Sequence, residues 1–310
     1  MNMKPILTLT MNPALDASSS VENVFPEHKL RCGPVRHDPG GGGINVARAI
    51  KKLGGDALAL HCCGGATGGM LRTLLAAEGV SEQPIEISGG TRENLTVLES
   101  ATGQQYRFVM PGPTLSEAEW QRVLDAVRAV EPRPAIIVAS GSLPPGVPED
   151  FYGRLARLVR EQGSRLILDT SGPALPAAVR EGVFLIKPSL RELRTFAKGD
   201  LEHEAEQEQA AMQIVGAGGC EAVVVSLGAA GVLLASSAGC ERMRSPTVAV
   251  RSKVGAGDSM VAGIALSLAQ GRSLREAVRF GVAAGSAAVM NAGTELCHRA
   301  DAERLFAQSE

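Results

Sequence analysis

Aromatic side chains are nearly missing from this chain. They make up 3% of its 310 residues, with a single Trp, Trp120. Its core must therefore be filled by Leu, Val, Ile and Ala. An excess of charge is lacking too: 31 Lys and Arg stand against 33 Asp and Glu, a formal −2. That balance argues against a nucleic-acid binder, which carries a basic face or arm, but it leaves room for one local phosphate site. No run of about 18 apolar residues occurs, so no membrane span is expected. The opening MNMKPILTLTMNP has one Lys and a short apolar stretch broken by Thr8, too short for a signal peptide. The cysteines (Cys32, Cys62, Cys63, Cys220, Cys240 and Cys297) contain no CxxC pair. That spacing excludes the usual zinc sites and reads as free thiols in a reducing compartment, so the cytoplasm is expected.

What the chain does have is ordinary apolar content, 45%, and 36 glycines that fall in clusters. Clustered glycine marks sharp turns or close approach to a ligand. Continuous apolar runs at Ile6 to Thr10, Ala57 to Cys62, Ala135 to Ala139, Leu166 to Leu168, Val183 to Ile186 and Ala222 to Val225 read as strands. Segments of helical period lie between them, at Ile44 to Leu53, Thr67 to Glu78 and Pro148 to Glu161, with Ser116–Glu119 and Ser273–Glu276 as capping boxes. Strands apolar throughout, alternating with helices, predict a mostly parallel sheet covered on both faces. Residues 16 to 38 read as irregular. Asn94 to Glu99 and Gln105 to Val109, around Ala101-Thr102-Gly103, read as a hairpin. These two regions, about 16–38 and 88–110, are expected to form a small separate sheet over a single main domain spanning 1–310.

Five motifs could carry chemistry. Val254-Gly255-Ala256-Gly257-Asp258-Ser259 opens a helix. Free N–H groups and the helix dipole at such a start bind anions, and Asp258 is placed to act as a general base in phosphoryl transfer. The same residues also fit a plain helix start with Asp258 favouring the dipole. Gly40-Gly41-Gly42-Gly43-Ile44-Asn45 precedes a helix directly, which suits backbone contact with a polyhydroxylated ligand, with Asn45 hydrogen-bonding to it. It is not a phosphate-binding P-loop, because no Gly-Lys-Ser/Thr follows, and it does not follow the first strand as the GxGxxG of a nicotinamide-dependent oxidoreductase would. Lys187-Pro188-Ser189-Leu190-Arg191-Glu192 follows a strand, so Glu192 could orient magnesium directly or through water, or could simply favour a helix dipole. Asp16 after the first strand and Arg92 before the hairpin are candidates for sugar and phosphate, Lys29 and Arg107 less so; each also fits a solvated charge. Ser226-Leu227-Gly228-Ala229-Ala230-Gly231 fits either a hairpin turn or a surface under a nucleotide.

Together the two glycine motifs resemble those of the PfkB, or ribokinase-like, carbohydrate kinases, and the resemblance covers essentially the whole chain. Within that family the chain is similar to the bacterial 6-phosphofructokinase branch through Leu30-Arg31-Cys32, Pro39 to Ile50, Tyr106 to Gly112, Ser140 to Gly146 and Arg279 to Ala288. The 1-phosphofructokinase and tagatose-6-phosphate kinase branches carry Lys where this chain has Gly42. The resemblance implies a three-layer α/β/α core with a small β-sheet lid, and transfer of the γ-phosphoryl group of ATP to the 1-hydroxyl of fructose 6-phosphate. It implies Asp258 as base, with the N–H groups of Gly255, Ala256 and Gly257 as anion hole. Asp16, Gly41, Gly42 and Asn45 would hold sugar hydroxyls, while Arg92, Lys29 and Arg107 would meet the 6-phosphate. Lys187, Ser189, Glu192, Ser226, Gly228 and Gly231 would line the side of ATP and Mg2+. Ser252, Val254, Ala288, Asn291 and Gly293 would form a loop for K+, largely through carbonyls. A homodimer paired through the lids is implied as well. Two departures stand out: Ser189 replaces the family's Asn, and Glu295 stands where close relatives have Arg. A non-catalytic sugar-phosphate or nucleotide sensor on the same fold is the alternative of another class, and Asp258 speaks against it.

Overall fold

The computed structural model describes residues 3–308. Its strands are β1 (Ile6–Thr10), β2 (Ala14–Val21), β3 (Arg36–Gly40), β4 (Leu58–Cys63), β5 (Ser81–Glu86), β6 (Arg92–Glu99), β7 (Gln105–Phe108), β8 (Ile136–Ser140), β9 (Arg165–Asp169), β10 (Val183–Ile186), β11 (Cys220–Ser226), β12 (Val232–Ser236) and β13 (Gly239–Met243). Its helices are α1 (Gly42–Lys52), α2 (Gly65–Ala77), α3 (Glu117–Ala129), α4 (Phe151–Glu161), α5 (Ala174–Val179), α6 (Leu190–Ala197), α7 (Glu204–Gly216), α8 (Ala256–Ala269), α9 (Leu274–Val289) and α10 (Arg299–Gln308).

A nine-stranded sheet runs β13-β12-β11-β10-β9-β8-β1-β4-β5, and a separate four-stranded sheet runs β3-β2-β6-β7. Neighbours from β11 to β5 are all parallel, and β12 and β13 turn back antiparallel at one edge. Alternate residues of one strand feed opposite cores, because successive side chains point to opposite faces. Leu7, Ile137, Leu168 and Val223 pack with α3, α4, α5 and α7. Ile6, Ile136, Ile167 and Ala222 pack with α1, α8, α9 and α10. This is the expected three-layer α/β/α core with a small sheet beside it. The capping boxes of α3 and α9 are both formed. No helix among the described residues is long and apolar enough to cross a membrane.

Residues 16 to 38 are not irregular throughout. β2 and β3 lie largely within them, paired to each other and, through β2, to β6. Asp16 and the Ser18-Ser19-Ser20 run hide the apolar alternation of β2, and its partners supply the ladder that its own sequence does not advertise. β5 was equally hidden: Ser-Glu-Gln-Pro-Ile-Glu carries a Pro, which the outermost strand of a sheet tolerates.

The chain leaves β1 toward β4 on one side and returns through β8 toward β9 on the other. The crevice at the C-terminal ends of β1 and β8 is therefore a topological switch point, where open parallel sheets bind ligands.

Candidate active site

The glycine run packs directly onto that crevice. A Cβ on Gly43 would stand 2.6 Å from Thr10 Oγ1 at the end of β1, and one on Gly42 would stand 3.0 Å from the Gly141 nitrogen just after β8. Any side chain there would push the loop off the strand ends, so backbone is presented where a ligand would sit. Helix α1 starts at once from this loop and brings Asn45 round to α8.

Gly255 caps α8 in a left-handed conformation, φ 75°, and Asp258 lies in the first turn. The first N–H groups of a helix have no partner within it, so Gly255, Ala256 and Gly257 bring unpaired donors and the positive dipole end to one place. Asn45 Nδ2 donates to Asp258 Oδ2 at 2.9 Å, across 213 residues of sequence. Burial pushes the Asp258 carboxyl up to about 6; the charge of Asp169 adds to this, while the Asn45 hydrogen bond and Lys187 oppose it. A carboxylate of that strength is matched to accepting a hydroxyl proton near neutral pH.

On the lid side, Asp16 of β2 accepts from Asn94 Nδ2 at 2.8 Å. Burial raises its pKa, while the Asn94 bond and the charges of Arg92, Arg107 and Arg48 oppose. Arg92 is half-buried and spends its guanidinium on backbone carbonyls, donating to Met110 at 2.9 Å, Asn12 at 3.0 Å and Pro13 at 3.4 Å. It thus braces the lid against the end of β1. Lys29, in the loop between β2 and β3, and Arg107, on β7, are both exposed.

On the other side of α8, Lys187 follows β10 and pairs with Asp169, at the end of β9, at 3.3 Å. A Cβ on Gly257 would lie 3.6 Å from Lys187 Nζ, so this ammonium borders the first turn of α8. Ser189 caps α6: its hydroxyl accepts from the Glu192 N–H at 3.2 Å, and its own N–H donates to Glu192 Oε2 at 2.7 Å. Ser226 lies beside Ser189 in a bridge and donates its N–H to the Pro188 carbonyl at 2.9 Å. Gly228 and Gly231 close the β11–β12 turn, where the Gly231 N–H donates to the Gly228 carbonyl at 3.1 Å.

Ser252 and the loop after α9 meet next to the start of α8. Ser252 Oγ donates to the Gly293 carbonyl at 2.6 Å and accepts from the Val254 N–H at 3.2 Å. Asn291 Nδ2 donates to the Leu296 carbonyl at 2.8 Å, and its backbone N–H to the Ala288 carbonyl at 3.1 Å. No three His, Cys, Asp or Glu side chains among the described residues cluster to hold a metal.

The fold thus brings Asp258, Asn45, Gly42, Lys187 and the first turn of α8 to one strand edge, and leaves Lys29 apart on a loop. Asp169 does not show in the sequence, because the apolar run Leu166 to Leu168 that marks its strand stops one residue short of it. Read one residue further, it is an acid at a carboxyl strand end, the same signal that picked out Asp16. Arg48, buried under the same loop, gave no signal, because an Arg on an amphipathic helix reads as a solvated charge.

Residues 5–301 match the pfkB family carbohydrate kinase domain. The ATP-dependent 6-phosphofructokinase isozyme 2 of Mycobacterium tuberculosis is 50% identical over 301 residues, 97% of this chain and 88% of that one. The crystal structure of phosphofructokinase-2 from Escherichia coli in complex with potassium superposes with a TM-score of 0.95 at 46% identity, covering 99% of both chains. The same Escherichia coli protein in complex with fructose-6-phosphate superposes with a TM-score of 0.94 at 45% identity, again covering 99% of both.

Proposed function

The chain belongs to the pfkB family of carbohydrate kinases, and from that premise we infer that it is an ATP-dependent 6-phosphofructokinase, forming fructose 1,6-bisphosphate. The fold is ribokinase-like. The observation that carries the reading is Asp258 at the N-terminus of α8, hydrogen-bonded to Asn45 of the glycine loop at the switch point. A base, an anion-binding helix start and a backbone cradle for a sugar then share one crevice.

Asp258 takes the proton of the sugar 1-hydroxyl as the oxygen attacks the γ-phosphorus in line, and the γ-phosphorus–oxygen bond to the β-phosphate breaks with ADP as leaving group. The N–H groups of Gly255, Ala256 and Gly257 hold the charge that gathers on the transferring group. Asp16, the loop backbone at Gly41 and Gly42, and Asn45 orient the sugar hydroxyls. Arg92, with Nε, Nη1 and Nη2 each already on a backbone carbonyl, has its two remaining N–H donors for the 6-phosphate, with Arg107 and Lys29 reaching in from the lid once it closes. Lys187, Ser189, Ser226, Gly228 and Gly231 line the nucleotide side. Glu192 would hold Mg2+, directly or through water, where the metal would supply positive charge to offset that of the ATP phosphates. The carbonyls of Ser252, Val254, Ala288, Asn291 and Gly293 would hold K+, a reading supported by the potassium complex of the Escherichia coli protein.

The lid sheet leaves apolar side chains in water: Leu95 and Phe108 face each other across β6 and β7, 37% and 50% exposed. Val109 and Met110 follow. Pairing two lids would cover these and the sheet edges, so the working form is a homodimer. Six unpaired cysteines suit a reducing cytoplasm.

ADP release with MgATP and each of fructose 6-phosphate, fructose 1-phosphate and tagatose 6-phosphate tests the assignment. The highest kcat/KM is expected for fructose 6-phosphate. Preference for another sugar would keep the mechanism and overturn the substrate, and no turnover with any would favour a sensor.

A further inference from the structure

Arg48 follows Asn45 by one turn of α1, and its side chain is buried, 4% exposed. Buried guanidinium donors must all be met. Nη1 donates to the Pro39 carbonyl at 2.8 Å and to Asn45 Oδ1 at 3.3 Å. Nε and Nη2 form a fork on Glu78, at 2.8 and 2.5 Å, where α2 ends. Asp38 of the lid strand β3 lies 4.0 Å from Nη2.

The consequence falls on Asn45. Its amide has a donor end and an acceptor end of nearly equal shape. Only one orientation lets the N–H2 face Asp258; the other would set a carbonyl oxygen against a carboxylate. A guanidinium has donors and no acceptor, so it admits only the carbonyl end of Asn45 on its own side. Pro39, the other partner of Nη1, directly precedes the glycine run.

We propose that Arg48 is a positioning residue: clamped by Glu78, it fixes the Asn45 amide with its donor on Asp258 and, through Pro39, fixes the glycine turn, so one buried guanidinium sets both the base and the sugar-side backbone. The consequence for rate rests on the kinase reading above; the effect on the Asp258 carboxyl does not. The other groups facing Asp258 are Asp169 at the end of β9 and Asp16 of β2, which raise its proton affinity, and Lys187 after β10, which lowers it. The Asn45 hydrogen bond favours the ionised form, so losing it moves the titration of Asp258 upward.

The test is a carboxyl-carbon NMR titration of 13C-aspartate-labelled, ligand-free protein, with the Asp258 signal identified by its loss in Asp258→Asn. Arg48→Met, which removes every donor at similar bulk, should move the Asp258 midpoint up by about one pH unit. Asn45→Ala should do the same, and the double variant should move it no further, because Arg48 acts through Asn45. With fructose 6-phosphate, the acid limb of kcat should shift in parallel while the KM for ATP holds. Glu78→Gln leaves Arg48 in place but loosens its clamp, so it should give a smaller shift of the same sign, and it carries the test if Arg48→Met does not fold. A midpoint unmoved in the folded variants, or additive shifts in the double variant, overturns the proposal. Absence of turnover in the unmodified protein would sink the kinase reading alone, since the titration decides this one by itself.

Discussion

Lys187 Nζ lies 3.3 Å from Asp169 Oδ1, with both groups drawn in beneath the first turn of α8, their side chains 7% and 18% exposed. Burial alone would lower the Lys187 pKa. Asp169, with Glu192 and Asp258 beyond it, more than offsets this, and the ammonium is held above its ordinary value. A buried pair of this kind is weak evidence of net stabilisation but is expensive to break. Lys187→Met should therefore cost about 3 kcal/mol in urea unfolding, because it strands the Asp169 carboxylate. Adding Asp169→Leu should restore most of that stability and none of the activity. Stability recovered together with turnover would show the pair to be purely structural.

The raised carboxyl of Asp258 has two consequences of opposite sign. As the proposed base, Asp258 must be ionised, so kcat should fall about tenfold per pH unit below the titration near 6. Stability runs the other way. The folded protein holds this proton up to about 6, while the unfolded chain releases it near the ordinary value of 3.8. Stability is therefore lost as pH rises between the two, and the cost above pH 6 is on the order of 3 kcal/mol. Asp258→Asn should abolish turnover by a factor of about 10²–10⁴ and melt at a higher temperature than the unmodified protein at pH 8. At pH 4 that advantage should vanish.

Gly43 has no room for a methyl group, since its Cβ would meet Thr10 Oγ1 at 2.6 Å and the Leu9 carbonyl carbon at 2.7 Å. Gly43→Ala should destabilise the protein by about 1–3 kcal/mol and raise the KM for the sugar as the loop is displaced. Gly69, inside α2 with nothing within 4 Å of the same position, is the control. Gly69→Ala should stabilise by about 0.5–1 kcal/mol. Equal effects at the two sites would mean that the loop moves freely.

Phe108→Glu places a charge in the exposed Leu95–Phe108 pair of the lid. Sedimentation at working concentration should find a dimer for the unmodified protein and a monomer for the variant. A variant that stays dimeric would place the contact elsewhere.

The sequence by itself determined the layered core. Runs such as Ile136 to Ala139 and Val183 to Ile186 are apolar at every position, as a strand covered on both faces requires. It also determined the helix starts at Ser116 and Ser273, whose capping boxes are closed within four residues, and it marked Asp258 and Asn45 through the glycines beside them. Tertiary structure alone decided how they meet. Asn45 and Asp258 are 213 residues apart in the chain, and only the packing of α1 against α8 under the glycine loop joins them. It also made β2 and β5 into strands, because their hydrogen bonds come from β6 and β4 rather than from any pattern of their own. And it buried Arg48 and drew Asp169 partly in, whose charges look solvated in sequence, since burial is a property of what a residue is packed against and no local run of residues encodes it.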